Sequence, residues 1–409
     1  MKKPRILVLT LSFGAGHLSA ARSVADGLRE TLAGAEVRLI DALESCSPAF
    51  RAFYVWPYWA MIRYAPFMWK RFFETRSARG AEQTAPVRAW RAGCRKVFAA
   101  LARFRPDLIV AAEVGACEIA VIAKREGLTN APIVNVITDF EAEPVWVKPE
   151  IAAYAVASPE VGRQLEGWDA PADRIVVCGI PLDDSFARRH DAAGTRRAFG
   201  LDERPAVLLM GGGMGPTRMD EIAAGLLCEG EDLQIVALPG RDHRTRARLG
   251  RLRSSETVAL HVLDWTDKVA ALMQTAAVLV TKPGGVTLSE AAATGLPLVL
   301  FDPIPGPEEK NAARFVEAGA AVLADRTDTA VAAVRQLLAD ATKRAAMSAA
   351  ARRLARPAAT GKIVRTIERI VAATEIGRRE PFFFDRMNNY RQSHRLWPEM
   401  EKVSARLGK

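Results

Sequence analysis

The sequence predicts an α/β protein made of two doubly wound parallel sheets. Short apolar runs alternate with alanine-rich amphipathic segments, as strands and covering helices do in parallel sheets. The alternation stops near the middle of the chain and then begins again. The length of 409 residues is sufficient for two such domains and their cores.

Ten apolar runs have the length and composition of buried strands. They are residues 6–11, 37–40, 108–112, 133–137 and 154–157 in the first half, and 206–210, 234–238, 258–261, 277–280 and 298–301 in the second. Amphipathic segments such as 18–32, 117–125, 267–274 and 286–293 predict helices between them. The stretch 179–205 has little apolar periodicity. We therefore expect domains at 1–180 and 205–375, a linker at 181–204 and a basic extension at 376–409.

The positive charge is concentrated in two segments. The chain carries 57 Lys and Arg against 47 Asp and Glu, a net charge of +10. Residues 51–105 contribute 12 − 2 = +10 and residues 341–409 contribute 16 − 6 = +10, so the remainder is acidic. Two basic segments on an acidic protein indicate an anionic partner surface, either phospholipid or nucleic acid.

Neither a membrane span nor a disulfide framework is expected. No apolar run reaches the roughly 18–20 residues that cross a bilayer. Basic residues precede the apolar run 6–11 as in a signal peptide, but glycines and His17 interrupt it, which favours a first strand and its turn. The five cysteines are widely spaced without a C-x-x-C pair, which is typical of reduced thiols.

The first candidate site follows the first predicted strand. Gly14, Gly16 and His17 stand between that strand and a helix, where glycines let the backbone approach a ligand. We expect the imidazole to be a base or a substrate ligand, although a tight turn with a surface histidine would have the same pattern.

Two further turns are suited to an anion. Four glycines in five residues expose consecutive backbone amides after the strand 206–210, and no Walker Lys-Ser/Thr follows: Gly211, Gly212, Gly213, Met214 and Gly215. After the strand 277–280, the helix start adds its partial positive charge to that of a lysine: Lys282, Gly284, Gly285 and Thr287. Ordinary strand–helix turns are the alternative for both.

Three polar residues are candidates for hydroxyl recognition. Glu290 lies about two turns into the helix that follows Gly285. Glu308 and Asn311 stand at i and i+3 and share a helix face. A solvated charge and a plain helix start are the alternative readings.

An aromatic and basic segment spans residues 50–73, which contain 11 of the 29 aromatic residues of the chain. Such a mixture favours the interface of an anionic membrane. A core or dimer-forming segment and a nucleic-acid stacking surface are the alternatives. The residues proposed for this role are Trp56, Trp59, Arg63, Trp69, Lys70 and Arg71.

These motifs together resemble the monogalactosyldiacylglycerol synthase and processive diacylglycerol glucosyltransferase family, over about residues 5–375. That family is related to the bacterial enzyme that adds N-acetylglucosamine to lipid I. The resemblance implies a GT-B fold, in which two Rossmann-like domains face each other across a cleft. It also implies inversion at the anomeric carbon without a bound metal or other cofactor, and no Asp-x-Asp pair occurs in the sequence.

The resemblance also implies roles for single residues. The glycines of both turns would hold the UDP diphosphate, the backbone near Thr266 the uracil, and Glu290 the ribose. Glu308 and Asn311 would hold the sugar, and His17 would face the acceptor. Because the acceptor oxygen must lose a proton as it attacks, we expect His17 to be the base or its relay, with Asp139 or Glu143 to orient it or replace it.

The expected function is therefore transfer of a hexose from UDP-glucose or UDP-galactose to 1,2-diacylglycerol, with repeated transfer left open. The expected location is the cytoplasmic face of the cell membrane, as a peripheral protein. A polyprenyl or ceramide acceptor, UDP-sugar epimerisation, and a non-enzymatic nucleic-acid or anionic-surface binder are the alternatives. We expect no nucleic acid as partner, because the sequence contains no nucleic-acid module.

Overall fold

The computed structural model of the chain describes residues 3–78, 84–211, 218–228 and 232–379. Twelve strands lie in these residues: β1 (Arg5–Thr10), β2 (Glu36–Asp41), β3 (Leu108–Ala111), β4 (Ile133–Val136), β5 (Ile151–Val156), β6 (Ile175–Val177), β7 (Ala206–Met210), β8 (Leu233–Leu238), β9 (Val258–Val262), β10 (Val278–Thr281), β11 (Leu298–Phe301) and β12 (Ala321–Ala324).

The same residues contain eighteen α-helical segments: α1 (Ala15–Thr31), α2 (Ala42–Ser45), α3 (Pro48–Phe50), α4 (Trp56–Tyr64), α5 (Pro66–Ala78), α6 (Val87–Gly93), α7 (Arg95–Phe104), α8 (Val114–Arg125), α9 (Pro159–Glu166), α10 (Ala192–Phe199), α11 (Met219–Leu227), α12 (His243–Leu249), α13 (Val269–Thr275), α14 (Gly285–Thr294), α15 (Pro307–Glu317), α16 (Thr327–Ala339), α17 (Ala341–Leu354) and α18 (Ala359–Arg379). A π-helical turn, Arg51–Val55, joins α3 to α4.

The strands form two parallel six-stranded sheets, which confirms the predicted α/β class with two Rossmann-like domains. The first sheet has the order β2-β1-β3-β4-β5-β6 and the second the order β12-β11-β10-β7-β8-β9. Read from the other edge, the second order is that of a nucleotide-binding doubly wound sheet. In both sheets the central strands are fully buried, because helices cover the two faces.

The strand order places the ligand-binding edge of each sheet. Strand order reverses between β1 and β3 in the first sheet and between β7 and β10 in the second. Ligands bind beyond the carboxyl ends of strands at such switch points. The segment around His17 follows β1, Gly211 follows β7, and Lys282 follows β10.

Several local predictions differ from the structure. Strands β6 and β12 were missed because each is a short edge strand. Helix α1 begins at Ala15 rather than at residue 18, so His17 lies in its first turn. The predicted linker contains α10, which Asp191 caps at its start and Gly200, with a φ of 67°, closes at its end.

The described chain divides into two compact units, residues 1–364 and residues from 365 onward. Both sheets belong to the first unit, and residues 365–379 of the second are helical. The ranges 1–180, 181–204, 205–375 and 376–409 stay predictions. No described helix is both long enough and apolar enough to cross a membrane.

Candidate functional site

A cleft that is open to solvent lies where the strand ends of both sheets meet. It brings together residues of all five predicted motifs. Its lining includes Gly14, Gly16, His17, Thr138, Asp139, Gly211, Lys282, Gly284, Gly285, Thr287, Ile304, Pro307 and Glu308, with the aromatic residues Phe13, Tyr58, Trp59 and Trp69.

Two helix N-termini meet in this cleft. Gly14 is the N-cap of α1 and Gly284 is the N-cap of α14, and both have extended backbone. A Cβ atom on Gly16 would lie 3.3 Å from Cγ2 of Val286 in the first turn of α14, so the two helix starts are in contact. Each helix start presents unpaired backbone amides and a partial positive charge. The cleft is therefore suited to an anionic ligand.

His17 is partly buried in the wall of the cleft. Its Nδ1 lies 2.8 Å from the hydroxyl Oγ1 of Thr138, which fixes the ring. Burial lowers the pKa of His17, and the negative charge of Asp139 opposes that shift. A lowered pKa leaves the imidazole neutral near pH 7, which is the protonation state that accepts a proton.

Gly285 lets the start of α14 approach the loop after β4 closely at the cleft. A Cβ atom at this position would overlap the carbonyl oxygen of Thr138 and lie 3.0 Å from Cα of Asp139. A side chain there would push the loop after β4 away from the start of α14. Gly285 is thus required by a backbone contact, in addition to any ligand.

Lys282 and Glu308 share one wall of the cleft. The backbone N–H of Ile304 donates to Oε2 of Glu308 at 2.7 Å. Burial raises the pKa of Glu308, and the positive charge of Lys282 opposes the rise. The wall therefore offers one cation and one hydrogen-bond acceptor beside the start of α14.

Three residues predicted to contact the ligand do not line the cleft: Asn311, Glu290 and Thr266. Asn311 is fully buried and its side chain does not line the cleft, so its direct contact with a sugar stays a prediction that this arrangement does not favour. Glu290 does not line the cleft, and burial together with the charge of Asp183 raises its pKa to about 8. Thr266 lies in the loop before α13, away from the cleft lining, and its Oγ1 accepts from the N–H of Lys268.

The second glycine loop and the two carboxylates predicted beside His17 are only partly found in the cleft lining. Of the second glycine loop, only Gly211 is described and lines the cleft; Gly212, Gly213, Met214 and Gly215 lie outside the described residues. Glu143 is partly buried and does not line the cleft, whereas Asp139 does.

The aromatic segment divides into an exposed side and a buried side. Trp56 is 68% exposed, as a membrane-facing residue requires, whereas Trp69 is only 7% exposed and lines the cleft, so of its predicted acceptor or membrane role the arrangement favours the acceptor side. Lys70 forms an ion pair with Glu309 at 3.0 Å instead of standing free for lipid. Arg71 is exposed, and Trp59 is partly exposed in the cleft. The side chain of Arg63 lies outside the described part.

Sequence reasoning assigned no role to several lining residues, and we consider four of them here: Phe13, Tyr58, Thr138 and Ile304. Thr138 had a usable signal, since it follows β4 at the edge where ligands bind. The other three have apolar or aromatic side chains that sequence alone does not distinguish from core residues. Among the described residues, no group of three or more His, Cys, Asp or Glu side chains is arranged to hold a metal ion.

Two family models match different halves of the chain. The monogalactosyldiacylglycerol synthase model matches residues 17–182, and the glycosyltransferase family 28 C-terminal domain model matches residues 207–363. A processive diacylglycerol beta-glucosyltransferase of Staphylococcus carnosus is 29% identical over 339 residues, which are 82% of this chain and 85% of that protein.

Solved structures with the same architecture include two proteins of 16% identity. MurG of Acinetobacter baumannii has a TM-score of 0.56, with 90% of this chain and 99% of that chain covered. Anabaena HepE in complex with UDP-glucose has a TM-score of 0.54, with 89% and 99% covered. These likenesses confirm the GT-B fold.

Proposed function

We propose that the chain is a glycosyltransferase acting on 1,2-diacylglycerol, which its similarity to the monogalactosyldiacylglycerol synthase model and to processive diacylglycerol beta-glucosyltransferases supports. The donor is a UDP-hexose, either UDP-glucose or UDP-galactose. One observation carries the proposal beyond the resemblance. A partly buried histidine on one helix start and a lysine beside the other face the same cleft.

The donor side supports release of a diphosphate. Lys282 and the amides at the start of α14 offer positive charge where the β-phosphate oxygen leaves the anomeric carbon. Glu308 is available on the same wall to accept hydrogen bonds from sugar hydroxyls. Gly211 and the glycine loop after it would hold the remaining phosphate, and Glu290 and Thr266 would meet the nucleoside.

The acceptor side supports removal of a proton. In an inverting transfer the acceptor oxygen bonds to the anomeric carbon while the bond from that carbon to the diphosphate breaks. The acceptor hydroxyl gives its proton to neutral His17, and the carboxylate of Asp139 stabilises the imidazolium that forms. No step of this reaction requires a metal or another cofactor.

We also propose that the protein acts at an anionic membrane surface. The aromatic segment exposes Phe53, Trp56, Tyr64 and Phe67, each by more than 65%. Apolar side chains of this size in solvent mark an interaction surface. Their position next to the cleft-lining residues Tyr58 and Trp59 favours a lipid acceptor that enters from the membrane.

The test is transfer by the full chain with radiolabelled donors. UDP-glucose, UDP-galactose and UDP-glucuronate are each incubated with vesicles of phosphatidylglycerol that contain diacylglycerol, with and without EDTA, and products are separated by thin-layer chromatography. We expect one labelled glycolipid with a hexose donor, formed equally with EDTA. Transfer only to polyprenyl phosphate or ceramide, turnover of donor without acceptor, or strict dependence on a divalent metal would each contradict the proposal.

A further inference from the structure

Asn311 is completely buried, although its position in α15 led to the expectation of a sugar contact. Its side chain makes three hydrogen bonds. Nδ2 donates to Oδ1 of Asp139 at 2.9 Å and to the carbonyl oxygen of Pro283 at 3.1 Å, and Oδ1 accepts from the backbone N–H of Phe140 at 2.9 Å. Both of its donors and its carbonyl oxygen are therefore engaged within the protein.

These bonds allow only one orientation of the amide. The partners of Nδ2 are a carboxylate and a carbonyl, which only accept, and the partner of Oδ1 is an N–H, which only donates. Exchanging the two ends of the amide would place acceptors against acceptors. An amide is thus the side chain that satisfies all three partners at once.

The three partners belong to two different walls of the cleft. Asp139 and Phe140 follow β4 in the first sheet, whereas Pro283 follows β10 in the second. Gly285 lies against the same loop after β4. Asn311 therefore ties the histidine side of the cleft to the side with Lys282 at the point of closest backbone approach.

We infer that Asn311 is a positioning residue that holds the Asp139 carboxylate in place beside His17 and joins the two walls, instead of binding the sugar. This inference rests on the proposed function, because Asp139 matters only if His17 takes the proton of the acceptor. A positioning role accounts for the full burial of Asn311, because a side chain that bound the sugar would be exposed to the cleft. It also accounts for each of the three hydrogen bonds.

The first experiment measures the titration midpoint of His17 directly and needs no substrate. The titration of His17 in the full chain is followed by NMR, with His17→Gln used to assign its signal. Asp139→Asn removes the negative charge and should lower the midpoint, and Asn311→Ala should lower it as well. The double variant should go no lower than Asp139→Asn alone, because both changes act through one carboxylate. Lys282 and Glu308, which share the cleft with His17, are unchanged in every variant.

A second buried amide supplies the matched control. Asn135 is also fully buried, and its Nδ2 contacts Sγ of Cys117 and the carbonyl oxygen of Trp146 in the first domain. Asn135→Ala should lower stability but leave the His17 midpoint unchanged. If Asn311→Ala does not fold by circular dichroism, Asn311→Ser, which retains one hydroxyl, takes its place in the titration.

The second experiment uses kinetics with a UDP-hexose and diacylglycerol. Displacement of a catalytic group by an ångström can reduce turnover by about 100-fold, so Asn311→Ala should lower kcat by about 10- to 100-fold with little change in the donor KM. A raised donor KM, an unchanged His17 midpoint and effects additive with Asp139→Asn would instead identify a sugar ligand and overturn the inference. A chain that transfers no sugar while its histidine titrates as expected would overturn only the proposed function.

Discussion

The indole Nε1 of Trp69 donates a hydrogen bond of 3.0 Å to the carbonyl oxygen of Pro305. These residues are 236 positions apart and belong to α5 and to the turn before α15. Phe73, one helical turn further along α5, packs on Gly306, whose φ of 94° requires glycine. One face of α5 thus supports the turn whose next residues, Pro307 and Glu308, line the cleft, whereas Phe67, Met68 and Phe72 are exposed.

Replacing Trp69 by Phe should weaken donor binding. The variant keeps an aromatic ring but loses the bond to Pro305, so the turn that carries Glu308 is less well held. We expect the donor KM to rise several-fold, in line with the roughly 1 kcal/mol of a typical hydrogen bond, with kcat little changed. Trp56→Phe, at an exposed position, is the control, measured with a short-chain soluble acceptor. An equal donor KM in both variants would argue against this role of α5.

The exposed side of the aromatic segment should determine vesicle binding. Trp56→Ala together with Phe67→Ala should weaken pelleting with anionic vesicles even at high salt, because apolar burial does not depend on ionic strength. Arg71→Gln should matter mainly at low salt. Lys70→Gln should have a smaller effect on binding, since Lys70 is paired with Glu309. Binding like that of the parent in the double aromatic variant would assign this surface to another contact.

Gly285→Ala should be strongly disruptive, and Gly284→Ala should be mild. The new Cβ at position 285 would overlap the carbonyl oxygen of Thr138, whereas at position 284 the nearest atom would be Oε1 of Glu308 at 3.7 Å. We expect Gly285→Ala to lower the free energy of unfolding by about 1–3 kcal/mol, as overpacked sites do, and to reduce transfer. Chemical denaturation of the two variants in parallel tests the difference. Equal losses would show that the backbone contact does not limit this site.

Glu290→Gln should stabilise the protein increasingly as the pH rises from 5 to 8. The pKa of Glu290 is raised to about 8 from 4.5, so the folded state retains a proton that the unfolded state has lost within that window. The stability of the parent therefore falls as the pH rises, and glutamine avoids this loss. Thermal melts at pH 5, 6.5 and 8 measure the difference in melting temperature between the variant and the parent. Glu203→Gln changes a side chain that is 96% exposed, and its melting temperature should not diverge from that of the parent as the pH rises.

Replacing His17 by Gln should abolish most of the turnover while leaving donor binding intact. Loss of a general base typically costs about 100- to 10,000-fold in rate. Glutamine retains a hydrogen-bonding group for Thr138, so the wall of the cleft should persist. Steady-state transfer and calorimetric titration with UDP separate the two effects. A variant with normal kcat would exclude His17 as the base.

Much of the fold could be predicted because its signals are local. Parallel strands such as β1 and β7 are covered on both faces, so they read as continuous apolar runs. The segments around His17, Gly211 and Lys282 follow such runs directly, and the strand order of each sheet places them at its ligand-binding edge. The chemical character of each edge therefore follows from sequence neighbours and from the geometry of parallel sheets, whereas the meeting of the two edges in one cleft depends on how the sheets pack.

The roles of Trp69, Lys70 and Asn311 depended on the tertiary structure. A tryptophan beside basic residues has the same local pattern whether it faces lipid or packs on Pro305. Glu308 and Asn311 share a helix face by spacing, yet Glu308 lines the cleft and Asn311 is buried against Asp139, 172 positions away. Composition and periodicity report which residue types are near in sequence. Burial and hydrogen bonding are decided by contacts between distant segments, which only the packing of the two domains creates.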